Sequence, residues 1–336
     1  MDFFRPISLA VALAAPLTFS TLMAQQEVEF TQLEYPPSKK VEQTDNYFGT
    51  EVADPYRWLE DNDSDETREW VSAQSEFTAN YLSNLPRREE IRERITELWN
   101  FERIGVPFLR GERTFFYRNS GLQNQSVLYV KDSEDAEPRV LIDPNALSED
   151  GTVALSGTSV SRDGRLLAYA LSRSGSDWKE WHVREVATGR DLEDTVKWAK
   201  FSGASWDEDS SGFYYSRYDE PQAGDEFDQV NYFQKLYFHK IGTAQSEDVL
   251  VYHRPDQKEW GFSGQVSEDG RYLIISVWQG TDPRNRLFYR DLAKNDSPVV
   301  ELLNDFDAEY SFLGNEGTEF WFKTDLDAPR GRIIAI

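Results

Sequence analysis

The sequence contains no cysteine. That rules out a disulfide and a lipid-anchored cysteine, and with only three unclustered histidines it leaves no standard zinc site. Those histidines, His182, His239 and His253, each fall in a strand-like segment, with no nearby serine arrangement of the kind a triad needs. A lone strand histidine reads as structural or exposed rather than as a general base. The nucleophile elbow G-x-S-x-G is absent as well; the nearest stretch, "GFSGQ" at 261–265, carries Gln265 where the last glycine belongs. Positive charge is scarce, with 36 Lys and Arg against 60 Asp and Glu and a net charge of −24. Binding to nucleic acid or to an anionic membrane is thereby disfavoured, because neutralising phosphates takes Lys and Arg. The charge reads as a well-hydrated surface.

No apolar run is fit to span a bilayer. The run Ile7 to Leu17 follows Arg5, is broken by Pro16 and leads into small polar residues and Ala24. This is the layout of a secretory signal peptide, and residues 1–24 are expected to be removed, leaving a periplasmic or secreted protein. Hydrophobic residues at 39% and aromatics at 14% suffice for a globular chain.

Residues 25–103 read as an extended lead and short helices. "YPPSKK" (35–40) is a stiff linker, since Pro36 and Pro37 cannot donate backbone hydrogen bonds. Asp54 before Pro55 predicts an N-cap with proline at the first helical position. Asp63 and Glu66 have capping-box spacing ahead of a second helix, where Trp70, Val71, Gln74, Phe77 and Tyr81 share a side until Pro86. "RREEIRERITELW" gives a third, with Ile91, Ile95, Leu98 and Trp99 together. Such short helices have little core of their own and need a partner surface. The alternating acids of "DNDSDE" (61–66) do not make an EF-hand loop, whose sixth and twelfth positions would hold Glu66 and Ser72; helix capping is the better account.

From residue 104 to 336 the pattern has period two. "SVSRDGRLLAYALS" (159–172) is a hairpin around Asp163-Gly164, and similar units surround Gly111, Gly212, Gly270 and Gly317, spaced by roughly 50 residues. Each of the first four is followed by two more strands: "SVLYV", "EWHVREV", "KLYFHK" and "RLFYRD" open the second pairs. Four strands at this period predict β-propeller blades, four whole and a fifth begun. "RIIAI" (332–336) takes the third-strand position of blade five, and on this pattern a fourth strand is expected beyond it. Two loops stand out. "NSGLQNQSVLYV" (119–130) is rich in amides and "SRSGSDWKEW" (172–181) ends in Asp177 and Trp178; both could be ordinary inter-strand turns.

The chain resembles the prolyl oligopeptidases, a family of serine peptidases. The resemblance rests on "DPYRWLED" (54–61), "GLQNQSVLYV", "DPNALSEDGTVAL" (143–155), "SGSDW" (174–178), "QKLYFHKIGTAQSEDVLVY" (234–252), "DPRNRL" (282–287) and "NEGTEFWFKT" (315–324). It covers the chain after the signal, in the family's order. "GLQNQSVLYV" and "SGSDW" favour the prolyl branch over the oligopeptidase B group. The resemblance implies a mainly β fold: short N-terminal helices, then about four and a half of an expected seven propeller blades. It also implies an α/β-hydrolase domain, absent from these residues, on which the helices pack. The activity it implies is hydrolysis of short proline-containing peptides after proline, without metal or cofactor, by a monomer whose propeller restricts access. No triad residue can be carried over to a position here. One substrate-lining position, aromatic in the family, falls on Val183. The chain by itself is expected to be inactive; the alternative is a stand-alone exported propeller that binds peptides or proteins.

Overall fold

The computed structural model describes residues 33–222 and 230–336. The signal-like segment 1–24 lies outside them. Two compact units divide between Glu93 and Arg94.

In the first unit helix α1 (Asp65–Ser83) is capped by Ser64, whose hydroxyl accepts the Thr67 N–H at 3.2 Å. The cap is therefore Ser64 and not Asp63; Asp61 Oδ1 instead accepts the Asp63 and Ser64 N–H groups, closing an Asx turn. The helix expected after Asp54-Pro55 is a single 3-10 turn, Arg57–Glu60, because Asp54 is engaged by the Tyr56 N–H and the Arg57 guanidinium. The stiff lead runs along α1. Trp70 Nε1 donates to Ser38 Oγ at 2.9 Å, Gln74 to the Pro36 carbonyl at 3.2 Å, and Phe77 packs on Tyr35. Val71 and Tyr81 of the expected stripe are exposed. Within the extended lead, Thr44–Tyr47 and Thr50–Ala53 form a hairpin, its turn made by Phe48 and Gly49 at positive φ. Helix α2 (Arg88–Trp99) spans the unit boundary, and its Ile91, Ile95, Leu98 and Trp99 are each more than half exposed.

The second unit consists of successive antiparallel blades. Blade 1 holds Arg103–Ile104 and Phe108–Arg110, then Arg113–Asn119, Val127–Lys131 and Arg139–Ile142. Blade 2 is Val153–Val160, Leu166–Arg173, Lys179–Glu185 and Asp191–Ala199; blade 3 is Ser205–Trp206, Gly212–Arg217, Lys235–Lys240 and Val249–Tyr252. Blade 4 is Trp260–Val266, Tyr272–Gln279, Arg286–Asp291 and Val300–Leu303, and blade 5 is Tyr310–Glu316, Glu319–Thr324 and Arg332–Ala335. Arg332–Ala335 pairs with the second strand of blade 5, as a third strand should.

The repeat is physical as well as statistical. In blade 2 Ser161 Oγ bonds Asp163 Oδ1 at 2.6 Å and accepts the Leu166 N–H; in blade 4 Ser267 bonds Asp269 at 2.6 Å and accepts the Tyr272 N–H. Adjacent turns interlock. Gly111 donates its N–H to the Arg162 carbonyl, and a Cβ on Gly164 would sit 2.3 Å from the Arg110 carbonyl oxygen. Each blade interface is filled by apolar side chains, such as Leu128, Leu167 and Val186 between blades 1 and 2.

A second device joins successive blades. Just ahead of the third strand of blade 1, Gln125 accepts the Leu155 N–H of blade 2 at 2.9 Å. Gln234 of blade 3 accepts the Phe262 N–H of blade 4 at 2.6 Å, and Asn285 of blade 4 accepts the Tyr310 N–H of blade 5 at 2.7 Å. In blade 2 the residue ahead of the third strand is Trp178, an indole where blades 3 and 4 carry a side-chain amide. Blades 2 and 3 join differently: Ala199 pairs directly with Arg217, so their strands form one continuous sheet, and Trp206 Nε1 reaches the Ser159 carbonyl at 2.9 Å.

Candidate functional site: an aromatic cleft

Beside Trp178 a cleft opens. It lies at the ends of blades 2, 3 and 4 that carry the loops between second and third strands. The "SGSDW" loop builds one side: Ser174 and Gly175 take positive φ, and Ser176 Oγ accepts the Trp178 N–H at 3.1 Å. Trp178 thereby meets Trp198 edge-on at 5.7 Å and Tyr218 at 6.1 Å. On the far side Trp278, next to last in the second strand of blade 4, stands edge-on to Phe201 at 5.9 Å. Its ring crosses Gly261 on the paired strand, where a Cβ would lie 2.0 Å from Trp278 Cζ2. Only glycine leaves room for that ring.

Three bulky residues here have left-handed backbone: Trp198 at φ 61°, Phe201 at 54° and Phe233 at 60°. Such a conformation costs about 1–2 kcal/mol at each position and persists only where surrounding bonds hold it. The holding bonds are present. Tyr218 N–H donates to the Trp198 carbonyl at 3.1 Å, Phe233 N–H to the Lys258 carbonyl at 2.7 Å, and Gln234 Nε2 to the Lys200 carbonyl at 2.8 Å. Strained aromatic residues fixed around one opening mark a preorganised surface.

The cleft has three neighbouring parts, the first and second sharing Tyr232 as a wall and the second and third sharing Trp178. A cavity of about 730 Å³ lies among Phe201, Tyr232, Glu259 and Trp278. One of about 380 Å³ follows, lined by Trp178, Tyr218, Tyr232 and Phe233. The third, about 370 Å³, is walled by Trp178, Trp198 and His182, with Arg173, Lys179 and Lys197. Lys200 Nζ lies 4.9 Å above the Trp178 ring and Lys258 Nζ 4.3 Å above Tyr232. Burial pushes the Tyr218 phenol up to about 12, and burial also pushes His182 down despite Glu180 at 3.1 Å.

This arrangement offers aromatic faces on which an apolar group can pack. Among the described residues no serine hydroxyl is hydrogen-bonded to a histidine. "GFSGQ" lies within the first strand of blade 4 and not on a strand-to-helix turn. His239 is fully buried between Asp248 and Asp194, a structural position, and His253 is exposed. Val183 is 1% exposed, packed with Ala168, Val196 and Trp206 in the core of blades 2 and 3, so its side chain offers no surface to a ligand. The amide-rich "NSGLQNQ" loop serves the blade staple through Gln125. Sequence reasoning missed Phe201, Tyr232 and Trp278; the one local signal was the "SGSDW" loop, which ends on Trp178.

Four-stranded repeats, interlocked turns and apolar blade interfaces define a β-propeller. The chain belongs to the prolyl oligopeptidase family: residues 36–336 match the model described as "Prolyl oligopeptidase, N-terminal beta-propeller domain". A prolyl endopeptidase of Elizabethkingia miricola is 39% identical over 98% of this chain and 46% of its own length. Prolyl oligopeptidase A of Amanita bisporigera is 32% identical over 99% and 48%. Among solved structures, prolyl oligopeptidase B of Galerina marginata, bound to a 35mer hydrolysis and macrocyclization substrate, superposes with a TM-score of 0.78 at 31% identity, covering 90% of this chain and 45% of that one. The chain spans about half the length of the curated relatives it matches. The family read from the sequence motifs and the mainly β propeller fold both stand.

Proposed function

We propose that this chain is the substrate-recognising, access-controlling part of a serine-type prolyl oligopeptidase that hydrolyses short peptides after proline. The observation that carries the reading is the aromatic cleft of Trp178, Phe201, Tyr232 and Trp278, bordered by the left-handed backbone at Trp198, Phe201 and Phe233. Proline-containing segments dock on aromatic-lined grooves because a polyproline conformation is already stiff, and its rings pack flat on aromatic faces. The acyl transfer, with serine as nucleophile and histidine as base, belongs to an α/β-hydrolase domain outside these 336 residues. Ile91, Ile95, Leu98 and Trp99 of α2 offer that domain an apolar face. Alone, the chain is inactive. Residues 1–24 direct export, which N-terminal sequencing of the processed protein checks.

Calorimetric titration with acetyl-Ala-Pro-Gly-Phe-amide tests the recognition. Trp278→Ala and Tyr232→Ala should each weaken binding by about tenfold; unchanged affinity in both would remove the cleft from the account. A chromogenic Gly-Pro substrate should stay intact, and clear cleavage would refute the claim of inactivity.

A further inference from the structure

The third part of the cleft carries a charge the rest of the molecule does not lead one to expect. The chain holds 60 acidic and 36 basic side chains, and just over half of the described arginines are matched to carboxylates, as Arg113 and Arg139 are to Asp132 and Arg184 is to Asp191. Beside Trp178 and Trp198 the balance reverses. Arg173, Lys179 and Lys197 line one cavity with a single carboxylate, Glu180. Glu180 is already engaged: Oε1 lies 3.1 Å from His182 Nε2, and Oε2 is 3.9 Å from Lys197 Nζ. Among the described residues neither Arg173 nor Lys179 meets a carboxylate. Asp177, the adjacent acid, is exposed and does not line the cavity.

We propose that this cationic end of the cleft binds a carboxylate of the peptide whose apolar body lies against Trp178 and Trp198. The inference rests on the peptide reading above and adds a charged determinant and a direction to it. Charge complementarity supports it: three cations with one carboxylate between them, walled by two half-buried tryptophans, sit on a chain of charge −24. An arginine fork with flanking ammonium groups matches a carboxylate better than a neutral amide. The indole rings take the adjoining apolar group, and the left-handed backbone at Trp198 holds one of them in place. The carboxylate can come from the peptide's C-terminus or from an acidic side chain near the proline; the recognition chemistry is the same.

The experiment titrates the full chain with three peptides: acetyl-Ala-Pro-Gly-Phe as free acid, its amide, and acetyl-Ala-Pro-Glu-Phe-amide. At low salt the free acid should bind about fivefold more tightly than the neutral amide. That gap should close in an Arg173→Gln/Lys179→Gln variant of unchanged melting temperature, and in about 0.5 M sodium chloride. If the glutamate peptide matches the free acid, a side-chain carboxylate also serves; if it matches the neutral amide, the site reads the C-terminus. Equal affinity for all three, with Trp278→Ala still weakening each, overturns the carboxylate site and leaves the peptide reading standing. Failure of all three to bind overturns both.

Discussion

Asn285 Oδ1 accepts the Tyr310 N–H at 2.7 Å while Asn285 Nδ2 donates to the Tyr310 carbonyl at 3.0 Å. One side chain thus makes the two bonds that a neighbouring strand would make, and joins blade 4 to blade 5. Tyr310 is buried, and Asn285 is 8% exposed, so water cannot replace the amide. Asn285→Ala should therefore cost about 2–4 kcal/mol, from two buried backbone groups left unpaired. Asn285→Asp should cost comparably, because a carboxylate presents no donor to the Tyr310 carbonyl. Urea unfolding measures both, and a loss below about 0.5 kcal/mol for Asn285→Ala would mean that the staple carries no weight.

His239 links blades 2 and 3 in a similar way, but with charge. Its Nδ1 lies 2.7 Å from Asp248 Oδ1 and its Nε2 3.1 Å from Asp194 Oδ1, with all three side chains buried. Tyr215 donates to the other Asp248 oxygen at 2.5 Å. Burial opposes protonation of the imidazole, yet the hydrogen bonds and charges of Asp248 and Asp194 outweigh it, and its pKa is raised above 6.5. A raised folded-state value means stabilisation that is complete below the unfolded pKa and lost as pH rises through the folded one. The melting temperature should fall from about pH 6.5 upward. His239→Gln should lower stability by about 3 kcal/mol by stranding buried carboxylates, and should flatten this pH dependence. Parallel pH profiles for the two proteins would exclude His239 as the titrating group.

Gly261 and Trp278 make a separate prediction about the cleft. Because an added Cβ would overlap the indole at 2.0 Å, Gly261→Ala must move the ring. A loss of about 1–3 kcal/mol in stability is expected from overpacking. Peptide affinity should drop as it does for Trp278→Ala, while Gly189→Ala, in an open turn, leaves binding unchanged. Wild-type affinity in Gly261→Ala would show that the ring's position is irrelevant to binding.

The blades were legible because their signals are local. Asp163-Gly164 and Asp269-Gly270 fix a turn through a serine two residues before the aspartate, and period-two apolar residues fix the faces. Part of the first unit was misplaced for an equally local reason: Ser64 and Asp63 are both good caps, and only the geometry of the Asp61 turn decides between them. Gln125, Gln234 and Asn285 all stood inside motifs that suggested the family, but an amide before a strand does not announce that it bonds the next blade. The cleft was the least legible part. Phe201, Tyr232 and Trp278 are distant in sequence and converge only because blades 3 and 4 meet there. Trp178 could have been noticed as the departure from the amide rule, had the rule been visible.

The third strand of blade 5 yields the last prediction. Arg332–Ala335 pairs with Glu319–Thr324 on one side only among the described residues, leaving backbone donors and acceptors open along its other edge. The register places Trp321 opposite Ala335 and Lys323 opposite Ile333, so Trp321 and Ile333 share a face, and both are exposed, at 43% and 68%. An open strand edge beside exposed apolar side chains is a template for pairing with a second chain. The 336-residue chain should therefore self-associate with rising concentration, and light scattering coupled to size exclusion reads this directly. Trp321→Lys with Ile333→Lys adds like charges to the exposed face and should shift the population toward monomer without lowering the melting temperature by more than about 2 °C, because neither side chain is buried. A wild-type chain that stays monomeric at every concentration tested would mean that this edge is protected by something other than a second copy.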